Sequence, residues 1–486
     1  MADPNQGVAL EKTNITFGTD GWRGLLGDEL NSANIERVAQ AFSHYIIQKG
    51  YRNRVAIGFD GRAKSGLFAN IFAEALCGNG INALLSDRII PTPVISYTCR
   101  SANCDAGVMI TASHNPPEYN GLKFKTAAGS PFPTEETATV EGLLDGQAPP
   151  KSIKTIERID MMLPYIRHIE SLIDFAAIRD AGLKVAIDSM GGAGNRILED
   201  MLVNHEIVAG TIYSDAQPDF SGRLAEPIEA NLEPLSLFLQ QGDYSLGVAT
   251  DGDADRLGVM TDKGKWMNIQ ECIWYLSHYY LNERKVTGPL VKTASVSDKL
   301  RLISKDHDVE VIDVPVGFKY VAETMMEKDA AFGAEESGGF GFKDHIPDRD
   351  GIFSALIFLE MMAKAGYDKL EDFIRHKRRQ YGSIYYERTD IHNNNPGRYQ
   401  VLPHLADTTP LYVDVFPVSS ITPFTNSRGR VNGLKFHLQG NPRWLLIRVS
   451  ETEPIIRFYA EGENPDEVKR LLKAGQRMFS EHEQAF

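Results

Sequence analysis

Short apolar runs alternate along this chain with stretches of helical periodicity, and several of the runs end in a polar loop. Val55-Ala-Ile-Gly58 feeds Asp60-Gly61-Arg62, and Gly107-Val-Met-Ile110 feeds Thr111-Ala-Ser113-His114-Asn115-Pro116-Pro117. Ser245-Leu-Gly-Val-Ala249 runs into Thr250-Asp251-Gly252-Asp253-Ala254-Asp255-Arg256. Apolar residues at Ile35, Val38, Ala39, Phe42 and Ile46 recur at helical spacing and predict a helix from Ser32 to Lys49, with a second from Leu67 to Cys77. Helices alternating with short apolar strands make layered α/β domains.

Length then sets how many. At about 150 residues per domain, 486 residues make three domains, or four if one is small. We place the units at 1–155, 156–262, 263–388 and 389–486. The second carries a helix from about Leu163 to Asp174 and the strand Lys184-Val-Ala-Ile-Asp188, followed by Ser189-Met-Gly-Gly-Ala-Gly194. That turn fails the dinucleotide fingerprint, because Ile197 stands where the third glycine belongs. The third has the strands Pro289-Leu-Val291 and Val311-Ile-Asp-Val314, and an apolar helix from Ile352 to Met362 expected on the same sheet. After the linker Asn393-Asn-Asn-Pro-Gly397, the period-two run Trp444-Leu-Leu-Ile-Arg448-Val449 and an amphipathic helix from Pro465 to about Phe479 predict a small α+β domain.

A net charge of −14 argues against nucleic acid, whose binding rests on cationic contact with phosphates. It leaves room for small anions held by local arginines. No run reaches the roughly 20 apolar residues of a membrane span, and the first residues lack the pattern of a signal peptide. We therefore expect a soluble cytoplasmic protein, a monomer or weak homo-oligomer, with no membrane partner. Cys77, Cys99, Cys104 and Cys272 show no metal or disulfide spacing and are expected as reduced thiols.

Four loops carry chemistry. In the first, Ser113 is a hydroxyl nucleophile, with His114 beside it, two prolines stiffening the turn and Lys123 ten residues on. Serine needs cations around it to carry a phosphate, so partners must come from elsewhere. The second holds Asp251, Asp253 and Asp255 at alternate positions just past a strand, so that they project to one side. Oxygen ligands of this kind suit Mg²⁺, and crowded carboxylates are costly without a cation. An EF-hand is excluded by Arg256 at the glycine position and Asp262 at the glutamate position. The third, Gly333-Ala-Glu335-Glu336-Ser337-Gly338-Gly339, has donors and acceptors for sugar hydroxyls. Pro315-Val-Gly317-Phe318-Lys319 precedes it, and Gly317 and Lys319 join the substrate-binding candidates. The fourth, Arg448-Val-Ser450-Glu451-Thr452-Glu453-Pro454-Ile-Ile-Arg457, brackets two hydroxyls with arginines and reads as a phosphate cradle. Near the N-terminus, Phe17-Gly-Thr-Asp-Gly-Trp-Arg23-Gly24 is a loop whose amides can approach an anion.

With these loops in this order the chain resembles the α-D-phosphohexomutase family, from about Thr16 to Gly462. The resemblance implies three α/β domains with mixed sheets and a smaller fourth domain around a central cleft. It implies that Ser113 carries a transferable phosphate, that Asp251, Asp253 and Asp255 hold Mg²⁺ together with that phosphoserine, and that Glu335 and Ser337 grip the sugar. It also implies that Arg448, Ser450, Thr452 and Arg457 bind the non-reacting phosphate, and that Arg23, Lys123 and Arg256 are the basic residues of the catalytic site. Two positions depart from the pattern: Gly339 stands where members often have histidine, and Glu451 stands where a small or amide residue is usual. His114, Lys123 and His345 are the proton-moving candidates, with Lys343 as a substitute for the missing histidine.

The activity implied is interconversion of hexose 1-phosphate and hexose 6-phosphate, with glucose preferred, through a phosphoserine enzyme and a hexose 1,6-bisphosphate that also serves as activator. A glucose-1,6-bisphosphate synthase or a phosphomannomutase of the same family stands as the alternative. A haloacid-dehalogenase phosphatase with Asp251 as nucleophile would want threonine or valine at Asp255, and a serine hydrolase would want glycines around Ser113. A non-catalytic sugar-phosphate sensor would need neither nucleophile nor metal loop.

Overall fold

The computed structural model describes residues 15–18, 20–146, 154–426, 429–440, 442–450 and 454–486. They form four units, each built on its own sheet. The first sheet has six strands in the spatial order Trp22–Leu25, Tyr119–Thr126, Ala106–Ile110, Arg54–Phe59, Asn82–Ser86, Glu157–Ile159. The last four are parallel, and the first two are antiparallel to their neighbours. Its parallel strands are joined by helices Ser65–Gly78 and Thr92–Ser101, and helix Ser32–Gln48 packs on Ser65–Gly78. The helix Ser32–Gln48 starts where the Asn31 side chain accepts from the Asn34 amide at 3.0 Å, filling a donor the first turn leaves open. Its Phe42 stacks on Phe124 of the sheet with ring centres 4.5 Å apart.

The second sheet orders Leu257–Thr261, Leu246–Thr250, Lys184–Asp188 and Val208–Ile212, with only the first strand antiparallel. The third orders Val311–Val314, Leu290–Thr293, Phe332–Glu335 and Gly339–Phe342, with only the last antiparallel. Parallel strands put their carboxyl ends on one side, which is where open α/β sheets bind ligands. The loops bearing Ser113, the aspartates, Gly317 and Glu335 all leave such ends. The C-terminal unit is a six-stranded antiparallel sheet with helices Arg398–Thr408 and Pro465–Glu483 packed against it.

Two features differ from the sequence reading. Strand Glu157–Ile159 pairs with Asn82–Ser86, so the first sheet extends past residue 155. Helix Gly351–Lys364 packs not only on the third sheet but also against strands Leu246–Thr250 and Leu257–Thr261 of the second and helices Phe175–Asp180 and Ile269–Asn282. Its first twelve residues are buried all round, which is why the run is uniformly apolar. The exception, Glu360, is 1% exposed and accepts from Arg284 at 2.8 Å, from the Asp174 amide at 2.9 Å and from the Tyr279 hydroxyl. One hydrophobic core joins the first three units, running from Ile95 and Met109 through Leu202 and Val248 to Phe340 and Phe358. The C-terminal sheet docks on the third unit through Trp444, Leu446 and Tyr459 against Ala294, with Lys435 donating to the Ala294 carbonyl at 3.0 Å. All four cysteines are free and buried. No helix among the described residues is long and apolar enough to cross a membrane.

Candidate active site

Ser113 sits one turn beyond strand Ala106–Ile110 with φ of 54°, a left-handed conformation that costs a serine energy and persists only when its surroundings fix it. They do so here. Its amide donates to Thr111 Oγ1 at 2.9 Å, and its carbonyl accepts from Arg62 Nη2 at 2.6 Å. The same guanidinium donates to the carbonyls of Asn115 at 2.6 Å and of Pro116 and Tyr119 at 2.9 Å each. Arg62 is thereby the brace of the whole loop, anchored by Asp60 at 3.3 Å and lying over the Phe220 ring at 4.6 Å. Gly252 completes the fit, because a Cβ there would lie 2.3 Å from the Ser113 carbonyl oxygen.

The Ser113 hydroxyl donates to Asp251 Oδ2 at 2.8 Å and lies 3.4 Å from His114 Nδ1. Asp251, Asp253 and Asp255 are fully buried, with one carboxylate oxygen of each within 4.8 Å of the others. Asp251 Oδ1 accepts the amides of Asp255 at 2.9 Å and Arg256 at 3.1 Å, which folds the loop back on itself. Asp253 Oδ2 accepts from Thr92 Oγ1 at 2.5 Å and Lys123 at 2.8 Å. Asp255 Oδ2 accepts from Lys123 at 2.9 Å and Arg349 at 2.7 Å. The remaining oxygens, Asp253 Oδ1 and Asp255 Oδ1, are buried without a hydrogen-bond partner. Buried carboxylate oxygens left bare are costly unless a cation takes them. The set is all oxygen, so these residues fit a hard divalent ion such as Mg²⁺.

Charge is divided unevenly among the groups. Burial, and then the neighbouring Asp255 and Asp253, push the Asp251 carboxyl well above the usual range. For Asp253 burial acts the same way, but Lys123, Thr92 and Arg349 together outweigh it and the carboxyl is pulled below its usual range. Burial opposes the Lys123 charge, and Asp20, Asp253 and Asp255 overcome that opposition, so its ammonium is held above the ordinary lysine value. His114 is held well below the ordinary imidazole value by burial and then by Arg256, Arg23, Lys123 and Arg349, so it is neutral at pH 7.

The other sequence-derived candidates fall into groups. Arg23 donates to Asn115 Oδ1 at 2.6 Å, and Arg256 pairs with Glu226 at 3.1 Å while its Nε lies 4.0 Å from both Asp251 and Asp255. Glu335 and Ser337 are joined, with the hydroxyl donating to Oε1 at 2.5 Å, and the same oxygen accepts from Arg349 at 2.8 Å. Gly317, with φ of 135°, caps helix Phe318–Lys328, whose Lys319 reaches Thr134 of the first unit at 2.6 Å. Arg448 and Arg457 face each other across adjacent strands of the C-terminal sheet, with Ser450 just beyond and Arg457 3.4 Å from Asp390. Thr452 and Glu451 lie outside the described residues.

His345 is a correction. It is 2% exposed, with Nε2 2.8 Å from Asp350 Oδ2 and Nδ1 3.1 Å from His168 Nε2, and its ring packs 4.3 Å from Phe353. Both ring nitrogens are committed inside this buried group, which removes it from the proton-moving candidates. Lys343 pairs with Asp329 at 2.6 Å near the surface and is no better placed. Four residues not singled out from sequence belong to the site: Asp20, Arg62, Thr92 and Arg349. Asp20 joins Arg349 at 2.6 Å to Lys123 at 3.1 Å. Asp20 lies in the N-terminal glycine loop and Arg62 just past a strand end, positions that carry a signal. Only long-range pairing gives that signal its meaning.

Comparisons with known proteins place the whole chain, not the individual site residues, in a family. Models described as phosphoglucomutase/phosphomannomutase, alpha/beta/alpha domains I, II and III match residues 14–150, 163–264 and 270–381 in that order. A phosphoglucomutase/phosphomannomutase of Thermococcus kodakarensis is 28% identical, the match covering 96% of this chain and 98% of that one. A phosphoglucosamine mutase of Clostridioides difficile is 28% identical, over 94% of this chain and 96% of its own. The crystal structure of a putative phosphomannomutase from Thermus thermophilus superposes with a TM-score of 0.81 at 30% identity, covering 96% of this chain and 99% of that one. The chain belongs to the α-D-phosphohexomutase family.

Proposed function

We propose that this protein interconverts hexose 1-phosphate and hexose 6-phosphate through a phosphoserine at Ser113, with glucose as the preferred hexose. The observation that carries the reading is the Ser113 hydroxyl itself, held on a strained, braced turn 2.8 Å from a buried carboxylate, with Arg256, Arg23 and Lys123 close enough to act on the charge of the adjoining His114. A serine needs such surroundings to carry a phosphoryl group and none of them to be a surface turn.

In the forward half-reaction the phosphorus–oxygen bond at Ser113 breaks as a bond forms to the free hydroxyl of the sugar phosphate. Neutral His114, 3.4 Å from the Ser113 oxygen, is placed to take the hydroxyl proton and pass it to that oxygen as it leaves, whereas Lys123 stays a cation and neutralises charge. The resulting hexose 1,6-bisphosphate turns over, and its other phosphoryl group returns to Ser113. Mg²⁺, held by Asp251, Asp253, Asp255 and the phosphoserine, would supply charge neutralisation on the transferred group, where most catalysis of phosphoryl transfer resides. Glu335 and Ser337 take the sugar hydroxyls, with Gly317 and Lys319 alongside, and Arg448, Ser450, Thr452 and Arg457 take the distal phosphate. Added bisphosphate would act as activator by rephosphorylating Ser113. We place the reaction in the cytoplasm, carried out by a monomer or weak homo-oligomer.

Glucose is the finer part of the reading. It rests on the Glu335-Glu336-Ser337 run, and relatives named for glucosamine as well as for glucose and mannose make it the part to test first. Phosphorus NMR of the products from glucose, mannose and glucosamine 1-phosphates, with and without glucose 1,6-bisphosphate, does so. Turnover of glucose 1-phosphate at the highest rate supports the reading, and equal or faster turnover of another hexose phosphate overturns the glucose preference.

A further inference from the structure

Arg349 joins two loops with different proposed tasks. The residue is 3% exposed, and its guanidinium lies 5.4 Å from the centre of the Phe318 ring. Nη1 donates to Glu335 of the sugar loop at 2.8 Å, while Nη2 donates to Asp255 of the acidic loop at 2.7 Å and to Asp20 at 2.6 Å. The third nitrogen, Nε, is buried with no hydrogen-bond partner. One rigid cation therefore serves both a carboxylate offered to a metal and a carboxylate offered to a sugar. Planar geometry lets the two ends of the fork act together, which a lysine ammonium cannot imitate.

A divalent cation on the bare Oδ1 of Asp255 would draw charge from the carboxylate that Arg349 holds through Oδ2, and would repel the guanidinium. The guanidinium then gives more of its hold to Glu335, and a carboxylate fixed in one orientation is better prepared for sugar hydroxyls than one shared between competing charges. We infer that Arg349 is a positioning residue that couples Mg²⁺ at the acidic loop to hexose-phosphate binding at Glu335, an inference that rests on the hexose-phosphate reading above. By reciprocity, the sugar phosphate tightens the metal by the same factor.

Direct attraction between Mg²⁺ and a phosphate also couples the two ligands, and it survives loss of Arg349, so the test compares ratios. Calorimetric affinity for glucose 1-phosphate is measured with and without Mg²⁺ in Ser113→Ala enzyme, which cannot transfer phosphate, and in the same enzyme carrying Arg349→Gln or Arg349→Lys. The factor by which Mg²⁺ improves affinity should fall at least about threefold in both double variants, since neither side chain spans Asp255 and Glu335 together. Thermal melting identifies which of the two is folded, and a single folded one suffices. A factor within about twofold of the parent overturns the coupling. Absence of glucose 1-phosphate binding in the parent overturns the hexose-phosphate reading and the coupling with it.

Discussion

The hydroxyl of Ser113 donates to Oδ2 of Asp251 across 2.8 Å, joining the first unit to the second at the point where a phosphoryl group and a metal would meet. The contact depends on the backbone of the acidic loop approaching that of the serine loop, and only glycine permits this at position 252. Gly252→Ala puts a methyl 2.3 Å from a backbone oxygen, with no flexible side chain to yield. Overpacking of this kind costs about 1–3 kcal/mol. The variant should melt at a lower temperature and lose most of its turnover, and unchanged melting and turnover together would contradict the fit described.

Arg62→Met removes a guanidinium with no exposed side-chain surface and leaves Asp60 buried without its partner. Breaking a buried pair in this way costs about 3–5 kcal/mol, and four loop carbonyls lose a donor as well. Urea unfolding should show that loss, with Arg62→Lys intermediate because it keeps the charge and forfeits the fork. A Met variant within about 1 kcal/mol of the parent would show that the brace is not structural.

Arg62 also shows where sequence reading stops. Ser113 and the three aspartates were legible because each set is contiguous: the prolines, the alternate carboxylates and the preceding apolar strands all stand within a dozen residues. Alternating helices and strands likewise exposed the layered fold. Asp20, Arg62, Thr92 and Arg349 acquire meaning only through partners as many as 329 positions away, and no local pattern encodes such pairing. His345 misled for the converse reason, since it is close in sequence to the Glu335 loop yet turned into the contact with His168 and Asp350. The addition of Glu157–Ile159 to the first sheet was hidden in the same way, because an edge strand of three residues carries little periodicity.

Asp253→Asn removes one charge from a set with two bare buried oxygens. Calorimetry should find Mg²⁺ binding weakened by at least about 10–100-fold, with turnover falling alongside. Metal affinity equal to the parent's would remove the acidic loop as the metal site.

Burial, and then His345 and Arg100, push His168 down to about 4 from an ordinary imidazole value of 6.5. The folded protein therefore prefers the neutral ring. Above pH 6.5 both folded and unfolded chains carry it neutral and the stabilisation is complete, whereas between 6.5 and 4 only the unfolded chain takes up the proton. Stability should fall as pH drops through that window, and His168→Gln should flatten the slope. A melting profile equally steep in the variant would assign the acid sensitivity elsewhere.

The proposed reaction depends on Ser113 as the phosphate carrier. Incubation with glucose 1,6-bisphosphate labelled with radioactive phosphorus, followed by acid quenching and peptide mapping, tests it most directly. About one label per chain should appear on Ser113, stable to acid and hydroxylamine, lost in Ser113→Ala, and discharged onto added hexose phosphate. Label released by hydroxylamine from Asp251, or full mutase activity in Ser113→Ala, would contradict it.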